Sequence, residues 1–330
     1  MALKIAINGL GRIGRCVARI ISNRDDIELV AVNASGEHEM IAYNLKYDSV
    51  HGTRNDVKVE DGYLIIGNEK AKILSERDPA KIDFAGCGAD MVLECTGAFL
   101  TQESVQAYLD NGIKKVLFSA PAKDDTPTFV LGANENEYKG EKVVSNASCT
   151  TNGLAPVAKV LDDAFGIKNA LMTTIHSYTS SQPILDGKHK KDPRKGRSGA
   201  TNLVPTTTGA AKAIAKVLPN LAGKINGQAI RVPTPDVSMV DLTLTLNKDV
   251  SVEMIQDAFK AASLGSHKGI LGIDEEFRVS QDFVGESLST VVVMDTIQVI
   301  DKNLVKVLSW YDNEWGYSSR LVDMALHISK

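Results

Sequence analysis

Cys149 is the residue with the clearest chemical potential. It stands in the run 145–152 (SNASCTTN), after the apolar pair Val143 and Val144, which reads as the end of a strand. Beyond it Leu154, Val157, Ala158 and Leu161 fall at helical spacing, closed by Ala164 and Phe165. Pro156 is expected in the first turn of that helix, where a missing N–H matters little. With Ser148 as N-cap, Cys149 would meet unpaired backbone N–H groups and the positive end of the helix dipole. That setting favours the thiolate, the nucleophilic form. The alternative is a small buried hydrophobe, the commoner fate of a free cysteine.

A thiol nucleophile needs a base, and His176 is the candidate. Residues 170–175 read as a strand ending at His176-Ser177-Tyr178-Thr179. The two side chains meet if that strand returns beside the start of the Cys149 helix. Histidine is the usual general base near neutral pH, although a lone histidine is more often structural.

A second chemistry is written at the N-terminus. The apolar strand 3–7 runs into Asn8-Gly9-Leu10-Gly11-Arg12-Ile13-Gly14, and a helix follows from Cys16 to Ile21. This is G-x-G-x-x-G between a strand and a helix. Gly9 allows the tight turn, Gly11 lets a pyrophosphate approach the backbone, and Gly14 allows close helix–strand packing. The phosphates would rest on the helix N-terminus. A ribose-binding acid is expected about 20 residues further on. The strand 28–33 instead ends Asn33-Ala34-Ser35. Losing the acid removes a group that repels a 2′-phosphate, which predicts tolerance of, or preference for, NADP. The alternative is that Asn33 or Glu37 reads the ribose and NAD is retained.

These groups need a scaffold. In the first half, strands at 28–33, 91–94 and 115–119 alternate with a helix near 101–109, predicting a parallel sheet covered on both faces. Residues 56–60 and 63–66 flank Asp61-Gly62 as a hairpin. Met91 to Glu94 leads to Cys95-Thr96-Gly97, where loops contact a nucleotide. After residue 148 the pattern changes. Leu242, Leu244 and Leu246 alternate with threonines, and with 291–294 and 304–310 they predict a mixed or antiparallel sheet with one wet face. Helices are expected at 251–264 and 315–328. The fold class is therefore α/β: an N-terminal Rossmann dinucleotide-binding domain and an α+β catalytic domain.

The segment 180–202 is long and polar, with a run of charge that includes Lys188, Lys190, Lys191, Arg194, Lys195 and Arg197. It is either a solvated face or a phosphate contact. Thr206, Thr207, Thr208 and Gly209 open a helix, a natural anion site, and Arg231 ends another strand.

The 330 residues are 43% hydrophobic and 24% charged, which is globular usage, with a formal charge of −4 that argues against nucleic acid as the main partner. There is no apolar run of membrane length, no leader and no C-x-x-C pair among Cys16, Cys87, Cys95 and Cys149, so a complete, cytoplasmic chain with reduced thiols and no metal site is expected.

Together these stretches closely resemble phosphorylating glyceraldehyde-3-phosphate dehydrogenase of the bacterial type, along essentially the whole chain. Seven matches are collinear: 8–15 (NGLGRIGR), 45–49 (LKYDS), 145–152 (SNASCTTN), 176–179 (HSYT), 205–212 (PTTTGAAK), 231–235 (RVPTP) and 309–318 (SWYDNEWGYS). The resemblance implies a Rossmann domain over 1–148 completed by a helix at 315–330, a catalytic domain over 149–314, and a homotetramer with 180–202 at an interface. It implies that Cys149 forms a thiohemiacetal and then a thioester with glyceraldehyde 3-phosphate, that His176 handles the proton, and that inorganic phosphate releases 1,3-bisphosphoglycerate, a reaction of glycolysis and gluconeogenesis. By the same resemblance Thr179 and Arg231 hold the substrate phosphate, while Ser148, Thr150, Thr208 and Gly209 hold the attacking phosphate. Asn313 binds the nicotinamide carboxamide. Gly9, Gly11, Arg12, Ile13, Asn33, Ala34, Arg77, Thr96 and Ser119 line the NAD or NADP site.

Three positions depart from the family's pattern. Asn33-Ala34 replaces its usual Asn-Asp, and Lys188 stands near where NADP-accepting members contact the 2′-phosphate. Gly153 replaces a common second cysteine, so no local disulfide to Cys149 can form. Lys195 stands where some members carry arginine. The alternatives are an erythrose-4-phosphate dehydrogenase, in which water cleaves the thioester, and a non-catalytic nucleotide-sensing protein.

Overall fold

The computed structural model describes residues 2–189 and 192–330, so Lys190 and Lys191 of the charged run lie outside the described residues. The chain divides into two units. One comprises Met1–Phe129, Glu135–Ser148 and Tyr317–Lys330; the other comprises Val130–Asn134 and Cys149–Gly316. Among the described residues no helix is long and apolar enough to cross a membrane.

The first unit is built on an eight-stranded sheet. Its order is Val143–Ser145, Lys115–Phe118, Met91–Glu94, Leu3–Asn8, Ile27–Asn33, Glu69–Leu74, Tyr63–Ile66, Val57–Glu60. The first six strands are mutually parallel. Ile5, Ala6, Ile7, Val92, Leu93 and Val116 are fully buried, the continuous apolar runs expected of a sheet covered on both faces. The expected parallel sheet is only part of the result, because the last two pairings are antiparallel. Two tight turns cause this, one at Asp61-Gly62 and one at Gly67 with φ 57°. Asp61 at φ 51° and Gly62 at φ 78° form a turn with both central residues left-handed, which returns the chain at once beside itself. The C-terminal helix Trp315–Ser329 contributes Leu321, Val322, Met324, Ala325 and Ile328 as fully buried residues.

The glycine motif behaves as its spacing predicts. Gly9 has φ 97° and Gly11 precedes the helix Arg12–Ile21. A Cβ on Gly14 would stand 2.0 Å from the Gly9 carbonyl oxygen. Nothing lies within 4 Å of the corresponding position on Gly11, which leaves a backbone cradle that a ligand can approach.

The second unit holds another eight-stranded sheet, in the order Val204–Thr207, Ile225–Val232, Ile167–Ser177, Ser238–Leu246, Leu304–Tyr311, Thr290–Val293, Leu271–Asp274, with Gln298–Ile300 added on Leu304–Tyr311. It is mixed, as expected: Ile167–Ser177 runs parallel to Ile225–Val232 and antiparallel to Ser238–Leu246. Ser238–Leu246 alternates strictly between buried and half-buried residues. The wet face is less polar than expected, however, because Leu171 and Ile300 are exposed on it. The helix Cys149–Phe165 corrects another expectation. It begins at the cysteine itself, so Pro156 sits in its interior rather than its first turn. Proline cannot donate to the Asn152 carbonyl there, an interior defect that buried packing on both sides tolerates.

Gly14→Ala tests the tight helix–strand approach. The 2.0 Å overlap with backbone cannot relax by rotating a side chain, so a loss of about 3 kcal/mol or more is expected in urea unfolding. A loss within about 0.5 kcal/mol, the range of an ordinary surface change, would contradict the packing described.

Candidate active site

Cys149 begins its helix and His176 lies one residue before the end of its strand, and the fold brings them together. Cys149 Sγ is 3.6 Å from His176 Nε2. His176 is buried, and its strand register pairs it with Arg231. The Ser177 carbonyl lies 2.7 Å from His176 Nδ1 and 2.9 Å from Arg231 Nη1, while Nη1 and Nδ1 are themselves 2.8 Å apart. A carbonyl oxygen accepts two hydrogen bonds and never donates, so both nitrogens are assigned as donors to it. That tautomer leaves the lone pair of Nε2 facing the sulfur. It is the form a general base requires.

The electrostatics correct the expectation of a resting thiolate. Burial pushes the Cys149 thiol up, against the lowering influence of the Arg231 charge and of hydrogen bonds from Thr150. Burial, reinforced by Arg231, pushes His176 down to about 3, while the bond to the Ser177 carbonyl opposes the shift. Both effects favour the neutral pair. The geometry places the imidazole within reach of the thiol proton when the sulfur attacks. Cys95 is pushed up to about 12 by burial and the neighbouring Glu94, so it has no comparable activation.

Residues that the sequence did not single out support this pair. The Tyr311 hydroxyl bonds Thr150 Oγ1 at 2.9 Å and Thr174 Oγ1 at 2.8 Å, and its ring meets the His176 ring edge-on with centroids 6.1 Å apart. A Cβ on Gly153 would stand 3.0 Å from the Tyr311 ring, a close approach to which the ring would have to yield. Ser177 donates its N–H to Ser238 Oγ at 3.1 Å and its hydroxyl to the Val237 carbonyl at 2.7 Å. Ser238 Oγ in turn donates to Asn313 Oδ1 at 2.6 Å, fixing that amide. Asp312 accepts from the N–H groups of Gly285, Glu314 and Trp315, which holds the loop carrying Asn313. Ala147, two residues before the cysteine, is left-handed at φ 57°, a strained conformation held by its N–H to Ser145 Oγ and by the Tyr317 hydroxyl on its carbonyl. The serines, being small and polar, carried no signal beyond their neighbours. Tyr311 was visible only as part of a longer motif.

The other site residues divide by element. Ser148 immediately precedes the Cys149 helix and is half-buried. Thr150 turns its hydroxyl to Tyr311. Thr179 bonds Ser181 at 2.8 Å just beyond the His176 strand. Thr208 accepts from the Ala210 N–H and Gly209 caps the helix Ala210–Val217, which packs on the Cys149 helix. The register aligns Arg231 with Val204 rather than with Thr208.

In the first unit a cavity of about 520 Å³ opens at the carboxyl ends of the parallel strands. Gly9, Gly11, Asn33, Ala34, Arg77 and Thr96 all line it, as does Arg15. Arg12 does not. It forms a paired ion contact with Asp48, whose carboxyl stays well below the ordinary range because Arg12 and two backbone N–H groups outweigh burial. Ile13 is half-buried on the same helix, and the Ser119 N–H bonds the Glu94 carbonyl. Neither Ile13 nor Ser119 lines the cavity. Asn33 spends no hydrogen on the cavity: Nδ2 donates to Asn8 Oδ1 and to the Glu76 carbonyl, both at 2.8 Å. Glu37 is exposed and is not among the lining residues. The glycine cradle, the parallel strand ends and the basic Arg15 and Arg77 fit an adenine dinucleotide.

Two family descriptions match the chain: "Glyceraldehyde 3-phosphate dehydrogenase, NAD binding domain" over residues 3–102 and the corresponding C-terminal domain over 148–313. Relatives named glyceraldehyde-3-phosphate dehydrogenase from Shimwellia blattae and Salmonella typhimurium are 51% and 50% identical over the whole of both chains. Glyceraldehyde-3-phosphate dehydrogenase A of Escherichia coli K12 is likewise 50% identical over the full length of both.

The pH profile of iodoacetamide alkylation tests the Cys149–His176 pair. A raised thiol pKa means that reactivity climbs with pH, and Arg231 and the Thr150 hydrogen bonds oppose the rise. Arg231→Leu is expected to move the midpoint to higher pH. His176→Asn, which removes the base 3.6 Å from the sulfur, is expected to slow alkylation at neutral pH about tenfold. An unchanged profile in His176→Asn would show that the 3.6 Å contact has no chemical consequence.

Proposed function

The chain belongs to the glyceraldehyde-3-phosphate dehydrogenase family, and from that premise we propose that it converts D-glyceraldehyde 3-phosphate and inorganic phosphate reversibly to 1,3-bisphosphoglycerate. It is an NAD-dependent oxidoreductase of the phosphorylating kind. The observation that carries the reading is the 3.6 Å contact between Cys149 Sγ and His176 Nε2.

The sulfur attacks the aldehyde carbon as Nε2 takes the thiol proton. The carbonyl π pair moves to oxygen, and the imidazolium returns the proton there to give the thiohemiacetal. His176 then removes that hydroxyl proton. NAD, when bound, supplies the hydride acceptor at nicotinamide C4 that leaves a thioester on Cys149. Inorganic phosphate attacks the thioester carbon, the C–S bond breaks, and His176 returns its proton to the departing sulfur. Burial serves the second half in particular: a neutral imidazole can act as base, and its imidazolium is a strong acid in so dry a site.

Arg231 and Thr179 are assigned the substrate phosphate; Ser148, Thr150, Thr208 and Gly209 the attacking one. Asn313, its Oδ1 held by Ser238, would offer its amide N–H to the nicotinamide carboxamide. Gly9, Gly11, Arg12, Ile13, Asn33, Arg77, Thr96 and Ser119 would hold the remainder of the cofactor. The exposed Leu171, Ile184, Leu185 and Leu203 support burial in a homotetramer. We place the enzyme in the cytoplasm.

NADP is accepted beside NAD in this reading. Ala34 and Ser35 line the cavity where the acid would stand, with Arg77 on the same rim. Glu76 is the one carboxylate among the lining residues, and it is folded back onto the N–H groups of Arg77 and Asp78. The test is kcat/KM with NAD and with NADP, with and without phosphate, for wild type and Ala34→Asp. The aspartate should suppress NADP use at least tenfold, about 1.4 kcal/mol. Turnover should require phosphate. Strong preference of the wild type for NAD would remove the NADP assignment, and turnover indifferent to phosphate would point to hydrolysis of the thioester.

A further inference from the structure

Three adjacent parallel strands each end in a buried polar residue. Asn33, Asn8 and Glu94 stand in direct register across them, beneath the cavity in the first unit. The Glu94 side chain is fully buried and accepts from Asn8 Nδ2 at 2.6 Å, from the Thr96 N–H at 2.9 Å, from the Thr96 hydroxyl and from Tyr108. Four donors fill the acceptor capacity of a carboxylate.

This row of bonds has a direction. Burial pushes the Glu94 carboxyl up and these four donors oppose the shift; an ionised carboxylate only accepts, so Asn8 turns Nδ2 to it and presents Oδ1 on its other side. Asn33 must then offer Nδ2 to Asn8 Oδ1, at 2.8 Å. That leaves Asn33 Oδ1 toward the Glu76 N–H at 2.9 Å, while its second amide hydrogen reaches the Glu76 carbonyl at 2.8 Å. The amide thus clasps both backbone groups of Glu76, immediately before Arg77. At the other end Thr96, held to Glu94 through N–H and hydroxyl, takes the Ala98 N–H on Oγ1 at 3.0 Å. Glu76, Arg77, Thr96 and Ala98 are all on the wall of the cavity.

We propose that Glu94 is a positioning residue for the adenosine half of the dinucleotide: its buried carboxylate sets the orientation of the Asn8 and Asn33 amides, and through them the Arg77 and Thr96 walls. The proposal rests on the dinucleotide reading of this cavity. Glu94→Gln keeps the shape but introduces a donor. Either it faces the Asn8 amide hydrogens, turning both asparagines and breaking the Glu76 clasp, or it faces the Thr96 N–H and frees that wall.

Calorimetry with ADP-ribose, which is the dinucleotide without its nicotinamide ring, tests it. Glu94→Gln should weaken ADP-ribose binding about tenfold, with KM for NAD rising in parallel and kcat at saturating NAD moving less than about twofold. Tyr108→Phe removes one donor to Glu94 and the acceptor of the second Asn8 Nδ2 hydrogen at 2.9 Å, but leaves the Glu94 carboxylate to set the row, and should change the dissociation constant by less than about twofold. Asn33→Ala should weaken ADP-ribose comparably, and adding Glu94→Gln to it should weaken binding by less than the product of the two separate effects. Wild-type affinity in Glu94→Gln, or losses that multiply in the double variant, would overturn the proposal. If Glu94→Gln does not fold, Asn33→Ala decides: unchanged ADP-ribose binding overturns it. Failure of the wild type to bind ADP-ribose would instead sink the dinucleotide reading itself.

Discussion

The contact between Cys149 Sγ and His176 Nε2 is what the catalytic unit is built to hold. Neither residue is reactive by identity alone. Their separation of 3.6 Å fixes a path for one proton, and the Ser177 carbonyl fixes which imidazole nitrogen is free to take it. Desolvation pushes the thiol up and the imidazole down, so each is disfavoured as an isolated charge and the proton has an acceptor within reach of the sulfur. Arg231 works on both partners at once. Its charge helps the thiolate and hinders the imidazolium, and its bond to Ser177 ties it to the same carbonyl that orients the histidine.

The two units recognise their ligands by different means. In the first, glycine geometry and strand ends present backbone to a cavity, and a directional row of buried amides and one carboxylate stands beneath it. In the second, side chains at the ends of neighbouring strands and at two helix starts form the candidate active site, and their hydroxyl neighbours hold them still. A parallel sheet leaves its carboxyl edge free for a ligand, whereas a mixed sheet lets a strand and a helix start be brought face to face.

Much of this was legible in the sequence because it rests on local rules. Strand, glycine turn and helix at the N-terminus follow from chain geometry, and the Asp61-Gly62 hairpin from its left-handed turn. Cys149 was legible as the residue after an N-cap at a helix start, and His176 as one at a strand end. What was not legible depends on burial and on partners far along the chain. Pro156 looked like a first-turn residue because the apolar period starts at Leu154, yet the helix begins five residues earlier, where Thr150, Thr151 and Asn152 are buried polar residues with no apolar period to announce them. The upward push on the thiol could not be read from a helix N-terminus, since it comes from desolvation. Asn8, Asn33 and Glu94 each looked like the polar stop of an apolar strand. Only their register makes them a row.

The most direct measurement is mass spectrometry of the protein mixed with glyceraldehyde 3-phosphate and NAD in the absence of phosphate, followed by proteolysis. The account predicts one phosphoglyceryl thioester per chain, on the peptide carrying Cys149, discharged when inorganic phosphate is added and formed far more slowly in His176→Asn. An adduct on Cys16, Cys87 or Cys95, or reduction of NAD with no thioester at all, would contradict it.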